Sequence, residues 1–191
     1  AGLPGRPLEA TFALVEWQHR LYHLRVKRGG PSLLAAELWL PVNQLAGYLH
    51  AVQEFGHRFK TPIGNYGLVV SPTLATVMSL YHTDARQTFD YTLALGLTAR
   101  LYSLGARFGG RPYGVGLWNT PYLSQIFSSR QLTELRARKK LLDPVGRFNP
   151  GKLYQAPFPL WPTVSKPGMA VLSMAYRRRG GRKHHQEVSH V

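Results

Sequence analysis

Lys139-Lys140-Leu141-Leu142-Asp143-Pro144-Val145-Gly146-Arg147-Phe148-Asn149-Pro150-Gly151-Lys152 is the most informative stretch of the chain. A proline disfavours the α conformation in the residue before it, so Asp143-Pro144 stops a helix. Asn149-Pro150-Gly151 reads as a tight turn that fixes an amide and an ammonium close together. On composition alone, an ordinary helix exit followed by a turn accounts for the whole segment.

Upstream, Ser129 is a candidate cap for a helix over Gln131 to Leu142, and Leu123 to Phe127 reads as a short helical turn. Before them lies a dense glycine set: Gly105, Gly109, Gly110, Gly114 and Gly116. Phe89, Leu93, Leu97, Leu101 and Leu104 form an apolar stripe at helical spacing, with Asp84 as a candidate cap and Gly105 as the stop. Ile63 to Val70 and Ala75 to Tyr81 read as strands parted by Ser71-Pro72. Pro41 opens a helix carrying Val42, Leu45, Leu49 and Val52, stopped at Gly56. Leu33 to Leu40, Leu21 to Val26 and Thr11 to Trp17 read as three further strands. The expected order is three strands, helix, two strands, helix, loop, helix. That implies an α+β fold, a mostly antiparallel sheet with helices packed on one face. Residues 1–9 read as a loop or cut edge and residues 10–157 as the folded domain. Residues 158–191 read as a Pro-rich, then basic, disordered tail.

Among 191 residues, 44% are apolar, enough for one sizeable core. The absence of cysteine removes disulfides, thiolate nucleophiles and cysteine metal sites, and points to a reducing, cytoplasmic setting. No apolar run approaches the roughly 18 residues of a membrane span. The first residues show no signal pattern and no initiator methionine, which fits a fragment or a processed chain. The excess of 24 Lys+Arg over 9 Asp+Glu, a net charge of +15, favours anionic partners. The basic residues cluster only at Arg177, Arg178, Arg179, Arg182 and Lys183. Elsewhere they are scattered, without the ordered stripe of a nucleic-acid binder.

Gly109-Gly110-Arg111-Pro112-Tyr113-Gly114-Val115-Gly116 allows three readings. It could cradle a phosphate with Arg111 as its partner, be a plain loop of positive-φ turns, or pack against a bound ring system. A dinucleotide fingerprint would follow a strand, whereas this loop follows a helix, and no Gly-Lys-Ser/Thr end is present. His19 and His23 stand four apart without a nearby third ligand, so no metal site is expected. His184-His185 lies in the tail. Trp17, Trp39, Trp118 and Trp161 are stacking platforms or, more simply, core.

The whole string from Lys139 to Lys152 resembles the C-terminal signature of FAD-linked oxidases of the vanillyl-alcohol oxidase type. Their glycolate oxidase, D-lactate dehydrogenase and alkylglycerone-phosphate synthase branches carry Lys-x-x-Leu-Asp-Pro-x-x-x-x-Asn-Pro-Gly-Lys, matched here position for position. The Leu38 to Glu54 segment resembles that family's cap-domain strand, proline and helix, and Gly109 to Gly116 its glycine-rich loop. The resemblance implies a cap on a large antiparallel sheet that covers the isoalloxazine of FAD and forms the substrate site. A separate FAD-binding domain or subunit would hold most of the cofactor. It places Asn149, Lys152, Gly114 and Gly116 near the flavin. Tyr113 becomes a candidate to bind an oxyanion or exchange a proton, and Arg111 to hold the carboxylate or phosphate of a small anionic organic substrate.

Two family stretches are absent. Leu68-Val69-Val70-Ser71-Pro72-Thr73-Leu74-Ala75 stands where a histidine-rich metal stretch would, and Pro112-Tyr113 stands where Glu-His would. Metal-assisted oxidation of a 2-hydroxy acid loses its ligands and base. Three functions remain: an oxidoreductase cap, a non-catalytic cap remnant or interaction subunit without flavin, and a basic binder of nucleic acid or acidic surfaces.

Overall fold

A computed structural model describes residues 9–20, 22–152, 154 and 166–179. Four strands, β1 (Ser32–Pro41), β2 (Gly64–Val69), β3 (Leu74–Thr83) and β4 (Arg111–Pro112), form one antiparallel sheet in the order β2-β3-β1-β4. The helices are α1 (Ala10–Gln18), α2 (Leu45–Phe59), α3 (Thr88–Ala106), α4 (Leu123–Ile126), α5 (Ser129–Leu142) and α6 (Lys166–Arg179). This is the α+β fold expected. No helix among the described residues is long and apolar enough to cross a membrane.

Side chains alternate between the two faces of a strand. In β1 the buried set is Ala36, Leu38 and Leu40, opposite Ser79, Val77 and Ala75 of β3. These residues meet Tyr48 and Val52 of α2 and Leu97 and Leu101 of α3 in one core. Polar atoms in this core are paired: the Tyr48 hydroxyl meets Ser79 Oγ at 2.9 Å, and the Tyr81 hydroxyl donates to Ala94 O at 2.8 Å. Burial pushes the Tyr48 phenol up to about 12 and the Tyr81 phenol higher still.

Helix α3 is buried on nearly every side, because the sheet covers one flank and α6 the other. The approach of α6 is closest at Gly96, where a Cβ would lie 2.3 Å from the Ser173 backbone nitrogen. Arg100 Nε donates to Ser173 Oγ at 2.7 Å, and the Tyr176 hydroxyl meets Thr61 Oγ1 at 3.1 Å.

Several expectations need correction. Thr11 to Trp17 lies in α1, not in a strand: Phe12, Leu14, Val15 and Trp17 do not alternate strictly, and a helix closes its own hydrogen bonds without a neighbouring strand. The expected strand Leu21 to Val26 falls largely in a 3-10 segment, Tyr22–Gly29, and both sides of β1 are already taken by β3 and β4. Pro41 ends β1 instead of opening α2, and a 3-10 turn, Val42–Gln44, intervenes. Gly56 and Gly105, expected as stops, lie inside helices, where an added Cβ would fall 2.9 Å from Thr61 O and 2.4 Å from Leu38 Cδ1. The residue that turns the chain out of α2 is Lys60, in the left-handed region at φ 51°. Gln87, not Asp84, precedes α3. The cap of α5 is Ser128, one residue earlier than expected, in a capping box with Gln131. The segment expected to be a disordered tail contains α6, whose Met169 and Ser173 are buried against α3. Val171 and Met174 are exposed, so the stripe is shorter than the helix, and Pro167 at its start reads as a breaker.

Replacing Gly96 by Val is expected to force α3 and α6 apart and to cost about 1–3 kcal/mol. Thermal unfolding reads this directly. Gly64→Ala is the control, since a Cβ there meets nothing within 4 Å, and its effect should stay within about 0.5 kcal/mol.

Candidate functional site

The alternation that buries Ala36, Leu38 and Leu40 turns Glu37 and Trp39 to the opposite face of the sheet. The register adds Met78 and Thr76 of β3, directly across from them, and Tyr66 and Leu68 of β2. On the other side, Arg111 of β4 pairs with Trp39, and the Tyr113 N–H donates to Glu37 O at 2.9 Å. Tyr113 stacks on Trp39 with ring centroids 5.0 Å apart and planes 30° apart. These side chains stay half-buried or exposed, with Tyr113 44% and Leu68 57% exposed. The result is a broad, aromatic-bearing surface with one carboxylate at its centre and one guanidinium at its edge. Partial burial raises the Glu37 carboxyl above its ordinary range.

The loop after β4 braces itself. Asn119 Nδ2 donates to Gly114 O at 2.8 Å, and Asn119 N and Thr120 Oγ1 donate to Gly116 O at 3.0 and 3.1 Å. Gly116 sits at φ 152°, where a side chain is disfavoured, and a Cβ on Gly114 or Gly116 would meet nothing within 4 Å. The glycine backbone is therefore open to approach. The Gly114 and Gly116 carbonyls are committed to the loop. Asn119 Oδ1 is buried with no hydrogen-bond partner of ordinary geometry. The Tyr102 phenol beside this amide is raised, chiefly by burial.

The signature segment is organised by Asp143. The Lys139 ammonium pairs with Asp143 Oδ2 and also donates to Phe148 O at 2.6 Å. The Arg147 and Phe148 N–H groups donate to Asp143 Oδ1 and Oδ2 at 2.8 and 3.0 Å. The hydrogen bond from Lys139 is the main reason the Asp143 carboxyl lies below its ordinary range. Two members of the signature thus shape the turn and do not reach outward. Asn149, in the left-handed region at φ 47°, and Lys152, whose N–H donates to Asn149 O at 3.2 Å, are exposed at its end.

Arg111, Tyr113, Gly114 and Gly116 are therefore brought together beside Trp39. Asn149 and Lys152 form a second group. No hydrogen bond, ion pair or ring contact among the described residues joins the two, although α4 packs against both β4 and α5. Sequence reasoning passed over Glu37. Its signal was present as the lone charge in an apolar strand, Leu33 to Leu40. His19 follows the end of α1 and His23 lies in the 3-10 segment, so the pair shares no helix or strand. Trp118 lies in the 3-10 turn Leu117–Tyr122. Residues 1–8, Trp161 and His184-His185 lie outside the described residues.

The ionised Asp143 stabilises the folded turn. Its contribution is complete above the unfolded value near 3.9 and is lost as pH falls through the lower folded value. Asp143→Asn is expected to lower Tm at neutral pH, to weaken the Tm dependence on pH below about 4, and to speed amide exchange at Arg147 and Phe148. NMR titration and hydrogen exchange measure this, and wild-type exchange rates in the variant would refute the assigned role.

A family model described as FAD linked oxidases, C-terminal domain, matches residues 9–153. The glycolate oxidase subunit GlcD of Bacillus subtilis (strain 168) is 23% identical over 149 residues, covering 76% of this chain and 31% of that protein. The chain thus spans about a third of the length of that relative. With its signature turn, glycine loop and half-open antiparallel sheet inside the matched span, the chain belongs to the C-terminal domain family of the FAD-linked oxidases.

Proposed function

We propose that the chain is the substrate-side cap of an FAD-dependent oxidoreductase, whose open sheet face covers the isoalloxazine of a flavin held mainly by a separate FAD-binding domain or subunit. The observation that carries this reading is the open sheet surface bearing Trp39, Tyr113, Met78 and Tyr66, aromatic enough to lie against a planar ring. The residues fit a covering role, with an open aromatic-bearing face and a glycine loop that lacks a Gly-Lys-Ser/Thr end. When bound, the flavin would accept the two electrons removed from the substrate.

The chain's own residues would divide the remaining work. Trp39 and Tyr113 exclude water from the face. Glu37, which lies beside Trp39 on β1 and across from Met78 and whose carboxyl is raised by burial, is suited to take a proton from a substrate hydroxyl. Arg111 at the edge would hold the carboxylate or phosphate of a small anionic substrate. The Tyr113 hydroxyl is a second candidate for binding an oxyanion. Asn149 and Lys152 would face the polar pyrimidine side of the flavin, where negative charge accumulates on reduction. A chain without cysteine suits a reducing compartment such as the cytoplasm.

Exposed apolar groups support docking to a larger assembly. Leu141, Leu142, Val145 and Phe148 are 68–80% exposed in and beside the signature turn, and Phe12 and Trp17 are exposed on α1. A second reading, a cap remnant without flavin, draws on one observation. The stretch standing where a metal-binding histidine stretch would be forms an edge strand and turn with Leu68, Val69 and Val70 exposed.

Co-expression with an FAD-binding domain of the same family, followed by co-purification and absorbance, separates the two readings. A yellow complex is expected, and colourless, stably folded protein would favour the remnant. In a yellow complex that turns over substrate, Trp39→Ala and Glu37→Gln should each lower kcat/KM by about tenfold or more, the effect of roughly 1.4 kcal/mol at the barrier. Tyr113→Phe against Tyr113→Ala separates a role for the hydroxyl from a role for the ring.

A further inference from the structure

On the helical side of the sheet, away from the face that carries Trp39, the C-terminal ends of α2, α3 and α6 converge around a cavity of about 620 Å³. Its apolar wall includes Phe55, Phe59, Leu104, Phe108 and Met174. Phe55 and Phe59 stack with centroids 4.4 Å apart, and Phe108 meets Tyr48 edge-on at 6.1 Å. Four guanidiniums line the same cavity: Arg58, Arg100, Arg107 and Arg177.

Their hydrogen bonding is sparse. Arg100 Nε donates to Ser173 Oγ. Among the described residues, the Arg58, Arg107 and Arg177 guanidiniums hold no hydrogen bond or ion pair. Among the described lining residues the acid is Glu54, which lies 3.4 Å from His50 Nε2. Arginines at helix C-termini are favourable in themselves, because each terminus carries about half a negative charge. Three such termini and Glu54 still leave four guanidiniums with positive charge in excess. The arginine fork matches phosphate oxygens in pairs. The volume lies within the roughly 300–1,000 Å³ usual for small-ligand sites.

We infer that this cavity binds an organic phosphate, an anionic head held by Arg58, Arg107 and Arg177 and an apolar body resting on Phe55, Phe59 and Phe108. The inference stands apart from the flavin-covering reading, because the sheet and α3 separate the two surfaces.

The test uses the 191-residue chain and 1-naphthyl phosphate, with 1-naphthol and inorganic pyrophosphate as comparisons, followed by calorimetry and NMR. Saturable binding of 1-naphthyl phosphate is expected, tighter than that of either comparison. Arg58→Gln with Arg107→Gln should weaken it about tenfold or more, the equivalent of roughly 1.4 kcal/mol. Both positions are exposed, so the fold should survive, as circular dichroism would verify. Arg136→Gln with Arg138→Gln removes the same charge from α5 and should leave affinity unchanged, as should Trp39→Ala. No saturable binding, pyrophosphate binding as tightly as the ester, or equal weakening by the α5 pair would each overturn the proposal. Loss on Trp39→Ala would do the same by moving the ligand to the open face.

Discussion

Strand β1 cannot send its side chains to one side only. It is paired on both edges, with β3 along its length and β4 near its end. Its alternate residues Ala36, Leu38 and Leu40 must enter the core if α2 and α3 are to have anything to pack on. The intervening Glu37 and Trp39 are thereby forced onto the opposite face. A slip of one residue would bury the carboxylate and expose the leucines, so burial on one side sets the position of every group on the other. The stack of Tyr113 on Trp39 and the position of Arg111 follow from the same register.

The strands at Leu33 to Leu40, Ile63 to Val70 and Ala75 to Tyr81 were legible because their turns are punctuated by proline, glycine and serine, and because they pair with one another. The apolar stripe of α3 was legible for the opposite reason: it is long and continuous. What failed was local. Thr11 to Trp17 has no buried residue at all, so no hydrophobic period marks its state. The basic run at Arg177 to Arg179 hid the fact that Met169 and Ser173, one turn apart, face α3. Gly56 and Gly105 were read as stops, whereas they, like Gly96, serve contacts between elements that only the three-dimensional fold brings together.

The candidate site was partly legible. The glycine loop led to Arg111 and Tyr113, and the structure seats both beside β1. The pairing of Tyr113 with Trp39 was not, since it joins residues 74 positions apart through a two-residue strand. The signature string was read correctly as a family mark and incompletely as chemistry. Lys139 and Asp143 spend their charges on Phe148 and its neighbours, leaving Asn149 and Lys152 as outward-facing polar members. Glu37 shows a general difficulty, because a single acid in an apolar strand reads as an exposed residue until its cross-strand neighbours are known.

Strand β2 ends the sheet. Only one of its sides is paired, with β3, and it carries no lysine or proline between Gly64 and Val69, while Leu68, Val69 and Val70 are exposed. Such a border is a template on which a second chain can add a strand. Pro62 and Pro72 guard the approaches on either side but not the border itself. Concentrated preparations of the isolated domain are therefore open to stacking edge to edge into oligomers, and a charged substitution at Leu68 is the simplest way to keep them dispersed.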